Sequence, residues 1–371
     1  MRAINEIYLL AIETSCDDTS IALIHGKIKT PFRICFHQSF SQEYLLKNWG
    51  GVVPELAARN HVEKIFPLIT EALNAEKISM DQIQYLAVTQ GPGLLGPLLT
   101  GINTAKALSL FYKIPLLGVN HLFAHLEAIH LNQPVCYPYI GCVISGGHTF
   151  FALVENSNSW HLLGSTLDDA LGEALDKGGK LLGFPYPAGK YLDRLAPWGS
   201  PARFTFPKGM RFDKKNCSVS YSGIKNALRV MLDDSPHLLK NRPSQFEIKD
   251  KTHQDFYDLV SSYMHTCFDT LLEKIDIAYL IAKKKNATIN KNTPLVFGGG
   301  VAMSQTLKEK VKALPYLSFI VEPELCTDNA LMIATWAWNN ITLAKPYPES
   351  LEIDAFSRFV NRQAQLWEQF S

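Results

Sequence analysis

The sequence predicts a two-lobed α/β protein, and three observations predict it. The chain has 371 residues, above the roughly 250–300 at which single hydrophobic cores stop growing. Apolar runs that meet a polar or glycine-bearing turn recur early, midway and late in the chain, which suggests two related lobes. Amphipathic helical stretches lie between them. Apolar residues make up 47% and charged residues 19%, so a packed core is easily supplied.

The elements follow in order. IYLLAIET and SIALIHG read as a hairpin turning at SCDD, with the first run as a buried strand. Glu6 precedes that run and acids follow it, unlike a signal peptide. VPELAARNHVEKIFPLITEALNAE carries apolar residues at helical spacing, with Pro54 near its start. LTGINTAKALSLFYK is a second such helix. YIGCVISGGHTFFALVE repeats strand, turn, strand. HQDFYDLVSSYMHTCFDTLLEKIDIAYLIAKKK reads as a long, broken helix. PLVFGGGVAMSQTLKEKV reads as a strand that meets glycines and then a helix. Pro197 to Cys217 and DDSPHLLKNRPSQFE are expected to be loops, and the tail after Pro346 is charged and amphipathic.

Composition narrows the function. Formal net charge is +1 and the pI about 7.6, so a nucleic-acid partner must be held by local patches. Seven cysteines without a CxxC pair favour reduced thiols in a cytosolic setting. No apolar run approaches the ~20 residues of a membrane span.

The stretch GVNHLFAHLEAIH holds three histidines. Residues four apart nearly superpose on a helix, so His121 and His125 share a face and can point at one ion. His130 falls on the far side and is expected in solvent. A helix with incidental histidines is the plainer alternative. The pair opens a helix just after a buried strand, where α/β sites usually sit. Zinc peptidases place a glutamate beside the first histidine; here that slot is Leu122. A third ligand is available in Asp328 of CTDNALMIA, although an aspartate there also fits a helix N-cap.

Three glycine turns could cradle a phosphate: SGGH (Ser145 to His148), GGG (Gly298 to Gly300) and GPGLLGPLLTG (Gly91 to Gly101). Each alone fits an ordinary turn. Together with the acid pair Asp17 and Asp18 they suggest a nucleotide clamped between two lobes. TLDDALGEALDKGGKLLGFPYPAGKYLDRLA carries Asp168, Asp169, Glu173, Asp176 and Asp193, most of them explained by a solvated helix face. PYPAG ends the helix, and Gly189 bends the chain toward the site, where a carboxylate could accept from ribose hydroxyls. RFTFPKGMRFDKK (Arg203 to Lys215) interleaves basic and aromatic residues, the mix that contacts RNA.

In this order the motifs ETSCDDTS, GGVVPELAARNH, GPGLLGPLLTG, NHLFAH, SGGHT, DKGGKLLGFPYPAG, SYSGIKNAL, GGGVA and CTDNALMIA resemble the universal tRNA threonylcarbamoyltransferase family. Older usage called these proteins O-sialoglycoprotein endopeptidases. The resemblance runs from about Leu9 to Trp338, and SGGHT with His148 is similar to the bacterial and mitochondrial branch.

The resemblance implies an actin-like, two-lobed ATPase fold, with a cleft between lobe I (1–138) and lobe II (139–325) and a C-terminal helical segment (326–371) returning to lobe I. It implies transfer of threonylcarbamoyl from threonylcarbamoyl-AMP to the exocyclic amine of the adenosine just 3′ of the anticodon (adenosine 37), in tRNAs reading codons that begin with A. A metal-dependent glycoprotease and a small-molecule kinase on the same fold are the alternatives. The implied metal ligands are His121, His125 and Asp328, holding one divalent ion, Fe2+ or Zn2+. The implied substrate contacts are Val143, Ile144, Ser145, Gly146, Gly147, Asp176, Gly189, Asp193 and Ser304, with Asp17 and His148 as catalytic candidates. Implied partners are tRNA, an inactive paralogue (TsaB) and a small ATPase (TsaE), in the cytoplasm. Two positions depart from the family pattern: Ser304 stands where Asn is usual and Leu46 where many members have His.

Overall fold

The computed structural model describes residues 6–42, 52–210, 216–240, 242–243 and 251–358. Leu46, and Arg211 to Lys215 of the basic stretch, lie outside the described residues. The chain forms two compact units. Unit 1 is Met1–Pro134, Ser157–Ser159 and Thr327–Ser371; unit 2 is Val135–Asn156 and Trp160–Cys326.

Unit 1 is built on a five-stranded sheet of order β3-β2-β1-β4-β5. Its strands are β1 (Ile7–Glu13), β2 (Asp18–Gly26), β3 (Arg33–Ser41), β4 (Tyr85–Gly91) and β5 (Leu116–Asn120). β1 runs antiparallel to β2 and parallel to β4, so the predicted hairpin forms and its first strand is central. Strands covered on both faces read as continuous apolar runs, and IYLLAIE is one. Leu10 and Ile12 join a core with Ile65, Ile69, Leu98 and Ile102. These last four come from α1 (Pro54–Glu76) and α2 (Leu95–Tyr112), the two helices predicted from periodicity. Strand side chains alternate between faces, so Leu9 and Ala11 point the other way, where α12 (Ala330–Asn339) packs on β1.

Unit 2 repeats the plan. Its sheet has the order β10-β9-β6-β7-β8, with β6 (Tyr139–Ile144), β7 (Thr149–Asn156), β8 (Ser159–Ser165), β9 (Leu295–Gly298) and β10 (Ser318–Ile320). β6 is antiparallel to β7 and parallel to β9, as β1 is to β2 and β4. The recurrence noticed in the sequence is therefore a recurrence of sheet topology. The long helix is broken as expected, into α8 (Gln254–Leu272) and α9 (Ile275–Lys285). Lys274 sits in the break, is buried, and donates its Nζ to the carbonyls of Met210 (2.6 Å) and Asn216 (3.3 Å).

Two expectations are corrected. DDSPHLLK is not all loop: α6 (Ser222–Asp234) runs into it and α7 (His237–Lys240) follows. GPGLLGPLLTG is not a phosphate turn throughout, because α2 begins at Leu95. A Cβ at Gly93 would strike the Ser15 carbonyl, and one at Gly101 would strike the Thr14 side chain. These glycines let α2 lie against the end of β1, and Thr14 Oγ1 donates to the Pro97 carbonyl (2.9 Å).

Candidate functional site

β5 passes directly into α3 (His121–Glu127). Asn120 caps that helix: its side-chain oxygen accepts from the N–H groups of Leu122 (3.0 Å) and Phe123 (3.1 Å). The cap fixes the first turn, so both histidines project from one face with ring centroids 4.7 Å apart. Both are buried.

Asp328 meets them from the segment before α12. Its Oδ1 lies 3.1 Å from His125 Nε2 and 3.5 Å from His121 Nε2. The N-cap alternative for Asp328 does not hold: Asn329 caps α12, accepting from the Met332 N–H (2.9 Å), which leaves the Asp328 carboxylate to the histidines. One ligand atom from each of the three residues falls within 4.8 Å of the others. All three belong to unit 1. Two imidazole nitrogens and a carboxylate oxygen converging on one point are a donor set that suits Zn2+ or Fe2+. His125 supports the fit further, since its buried Nδ1 has no hydrogen-bond partner among the described residues and its polar interaction is made through Nε2, toward Asp328.

Electrostatics prepare this point for a cation. Burial opposes a charged His121 ring, but the Asp328 and Glu13 carboxylates outweigh it and push its pKa up to about 9. Burial, then Asp328 and Asp17, push Asp18 up to about 7. Because folding raises the His121 pKa, its ion pairing stabilises the metal-free protein fully below the unfolded value near 6.5 and is lost as pH climbs through about 9. A metal must displace that proton. Apparent metal affinity should therefore rise about tenfold per pH unit across neutrality and level off above pH ~9. Calorimetric titration in buffers of different ionisation heat checks this by counting the proton released; no release at pH 7 contradicts it.

His130 is not a solvent residue. The helix gives way after Glu127 to a 3-10 turn, Ala128–Leu131, so the rotation assumed from α-helical spacing no longer applies. Its side chain is 15% exposed, with Nε2 3.8 Å from the buried Glu127, and burial lowers its pKa to about 4.

The other expected site residues lie in unit 2, apart from Asp17, which sits in the turn after β1. Val143 and Ile144 end β6 and are buried. Ser145 to His148 close a tight turn: the Ser145 N–H donates to the His148 carbonyl (2.8 Å), and the His148 N–H to Ser145 Oγ (3.1 Å). A Cβ on Gly146 or Gly147 would meet nothing within 4 Å, so packing gives no reason for glycine there. Gly299 differs: its φ is +91° and a Cβ would strike the Ile144 carbonyl, so the GGG turn needs glycine to abut the end of β6. Asp176, on α4 (Leu171–Leu181), accepts from the N–H groups of Ala188 (2.7 Å) and Gly189 (3.0 Å) at the start of α5 (Gly189–Leu195). Burial raises the Asp176 pKa against those two bonds. Asp193 accepts from Ser304 Oγ (2.6 Å) and from the N–H groups of Gln305 (2.8 Å) and Thr306 (3.0 Å), at the N-terminus of α10 (Gln305–Lys312). Ser304 Oγ also accepts from the Leu307 N–H (3.2 Å). The hydroxyl that replaces the usual amide is thus engaged within the protein.

The basic and aromatic stretch reads differently in place. Phe206 is buried edge-on against Tyr263, and Lys208 pairs with Glu273 (2.5 Å) and Asp269 (3.6 Å). These two side chains pack the unit, while the exposed Arg203 lies over the half-buried Phe204 ring.

Sequence reasoning passed over Glu13, Ser15 and Thr89, which cluster behind His121. The signal was an acid ending a wholly apolar strand, a position where burial is expensive unless the charge is partnered.

Taken together, fold and site define an α/β protein with an actin-like fold, in which the same sheet topology occurs twice, and with a two-histidine, one-aspartate group able to hold a metal. The solved structure of full-length HypF in its phosphate- and nucleotide-bound form superimposes with a TM-score of 0.53 at 12% identity, covering 91% of this chain and 55% of that one; this likeness concerns the fold. The sequence profile of TsaD, described as tRNA N6-adenosine threonylcarbamoyltransferase, matches residues 33–335. Relatives carrying that description include one from Trichlorobacter lovleyi, 38% identical over 97% of this chain and 99% of the relative. Another, from Fervidobacterium nodosum, is 39% identical over 88% and 91%. The chain belongs to the TsaD family and is a transferase.

Proposed function

We propose that this chain transfers the threonylcarbamoyl group of threonylcarbamoyl-AMP to the exocyclic amine of the adenosine 3′ of the anticodon, in tRNAs that read codons beginning with A. It does so with one Fe2+ or Zn2+ held by His121, His125 and Asp328. The convergence of those three side chains, in a chain of this family, carries the reading. Such an ion, when bound, supplies Lewis-acid stabilisation of charge developing on carbamate or phosphate oxygens.

The chain's own residues supply the rest. Gly146 and Gly147 leave a phosphate room to approach the backbone N–H groups of a turn that Ser145 holds closed. Asp176 fixes the bend at Gly189, a contact proposed for the ribose, and Asp193 and Ser304, also proposed contacts, order the start of α10. Asp17 and His148 are the candidate acceptors for the proton that the amine loses. The acyl donor is a mixed anhydride with AMP as leaving group, so no covalent enzyme intermediate is required. The base must leave its stack, which is cheapest in a single-stranded loop.

No described helix is long and apolar enough to cross a membrane, and work on tRNA in the cytoplasm, with an inactive paralogue (TsaB) and a small ATPase (TsaE), completes the proposal. Metal-loaded protein, threonylcarbamoyl-AMP and unmodified tRNA are combined, with and without those bacterial partners. Nucleoside mass spectrometry should find threonylcarbamoyladenosine. Folded, metal-loaded protein that modifies nothing in either mixture overturns the reading.

A further inference from the structure

We propose that Glu13 is a positioning residue for the metal centre: it faces His121 Nδ1 and fixes the ring, so that Nε2 is presented as the ligand atom. This rests on the reading of His121, His125 and Asp328 as metal ligands and goes one layer outward.

His121 Nε2 faces Asp328, and its other nitrogen faces away from it. Nδ1 lies 3.1 Å from Ser15 Oγ and 3.4 Å from Glu13 Oε2. A histidine that gives Nε2 to a metal carries its proton on Nδ1 and needs an acceptor there. Ser15 Oγ is the nearer group but can donate or accept, whereas a carboxylate only accepts, so Glu13 sets the direction. It has no exposed surface, ends the central strand β1, and both its oxygens take hydrogen bonds. The Ser15 N–H donates to Oε1 (2.5 Å), and the Thr89 hydroxyl from β4 donates to Oε2. A carboxylate pinned by the turn after its own strand and by β4 cannot turn away, so the ring it faces cannot turn either. His125 has no such arrangement, because its buried Nδ1 lacks a partner among the described residues. The two histidines are therefore unequal ligands: His121 is braced at Nδ1 as well as facing Asp328, and His125 meets Asp328 through Nε2 with no brace at Nδ1 among the described residues. Among the described residues no lysine or arginine forms an ion pair with Glu13; its partners are Ser15, Thr89 and His121.

The test uses the full chain, stripped with chelator and titrated with Co2+ as a visible probe. Glu13→Gln keeps the shape and removes the charge. Its Co2+ affinity should fall roughly 10- to 100-fold, the usual effect of removing such an outer partner, and its ligand-field absorption band should shift. Ser109→Ala, which removes an equally buried hydroxyl bonded to Ser350 and the Ile114 carbonyl, should leave affinity and band unchanged. If Glu13→Gln does not fold, Thr89→Val carries the test: it should shift the same band, and Thr89→Ser should restore it. Wild-type band and affinity in Glu13→Gln, or in Thr89→Val where the first is insoluble, overturn the proposal while the ligand assignment stands. So does an equal loss in Ser109→Ala. Wild-type protein that takes up no Co2+, or takes it up undiminished after His125→Ala, overturns the ligand assignment and this inference together.

Discussion

His125→Ala is expected to abolish stoichiometric metal binding and to lower the transfer rate about 10³-fold. His125 Nε2 lies closest to the Asp328 carboxylate, at 3.1 Å, and the ring is fully buried. Removing it leaves one imidazole and one carboxylate, too few donors to hold a dilute divalent ion against water. Lewis-acid stabilisation amounts to several kcal/mol, and about 4 kcal/mol is roughly three decades in rate. Metal content by elemental analysis and threonylcarbamoyladenosine by mass spectrometry should fall together. The substitution also leaves a cavity, so circular dichroism and a melting curve must accompany it. Full metal occupancy with full tRNA modification would show that the convergence of the three side chains is incidental.

Gly147→Val is the second large effect, and it separates function from folding. A Cβ at 147 meets nothing within 4 Å beyond its chain neighbours, and the position needs no left-handed backbone. Stability should change by no more than ~0.5 kcal/mol, as for other surface substitutions. The same methyl groups stand where the adenylate phosphate is proposed to approach the turn. Displacing a bound substrate by even ~1 Å can cost about 10² in rate, so transfer should drop at least that far while melting temperature and metal content stay as in the wild type. Gly299→Val is a contrasting control. There the backbone φ is +91° and the Ile144 carbonyl blocks a Cβ, so the protein itself should be destabilised. A Gly147→Val variant that binds an adenylate analogue and transfers normally removes the SGGH turn from the site.

Not every motif means what its composition suggests. GPGLLGPLLTG and SGGH look alike as strings, yet in the first the glycines make room for protein at Thr14 and Ser15, and in the second they face open space. Only neighbours distant in sequence distinguish the two cases. Two residues of the basic and aromatic stretch likewise find distant neighbours, Phe206 at Tyr263 and Lys208 at Glu273. His130 shows a more local failure: a helix that tightens to 3-10 geometry after Glu127 changes which face the next residues occupy.

What the chain carries in its own order of residues is the strands, the helices and the face shared by His121 and His125. These depend on periodicity, and a period of two or of 3.6 residues is a property of neighbours along the chain. The pairing of those histidines with Asp328, the transfer of the capping role to Asn329, and the carboxylate of Glu13 behind His121 were settled by the folded unit. The two contacts at the histidines join groups 203 and 108 residues apart, whereas the cap is local and is decided by which of two adjacent side chains turns onto the helix. Whether a carboxylate caps a helix, meets an ion or braces an imidazole depends on a few ångströms between elements, a distance that no local spacing encodes.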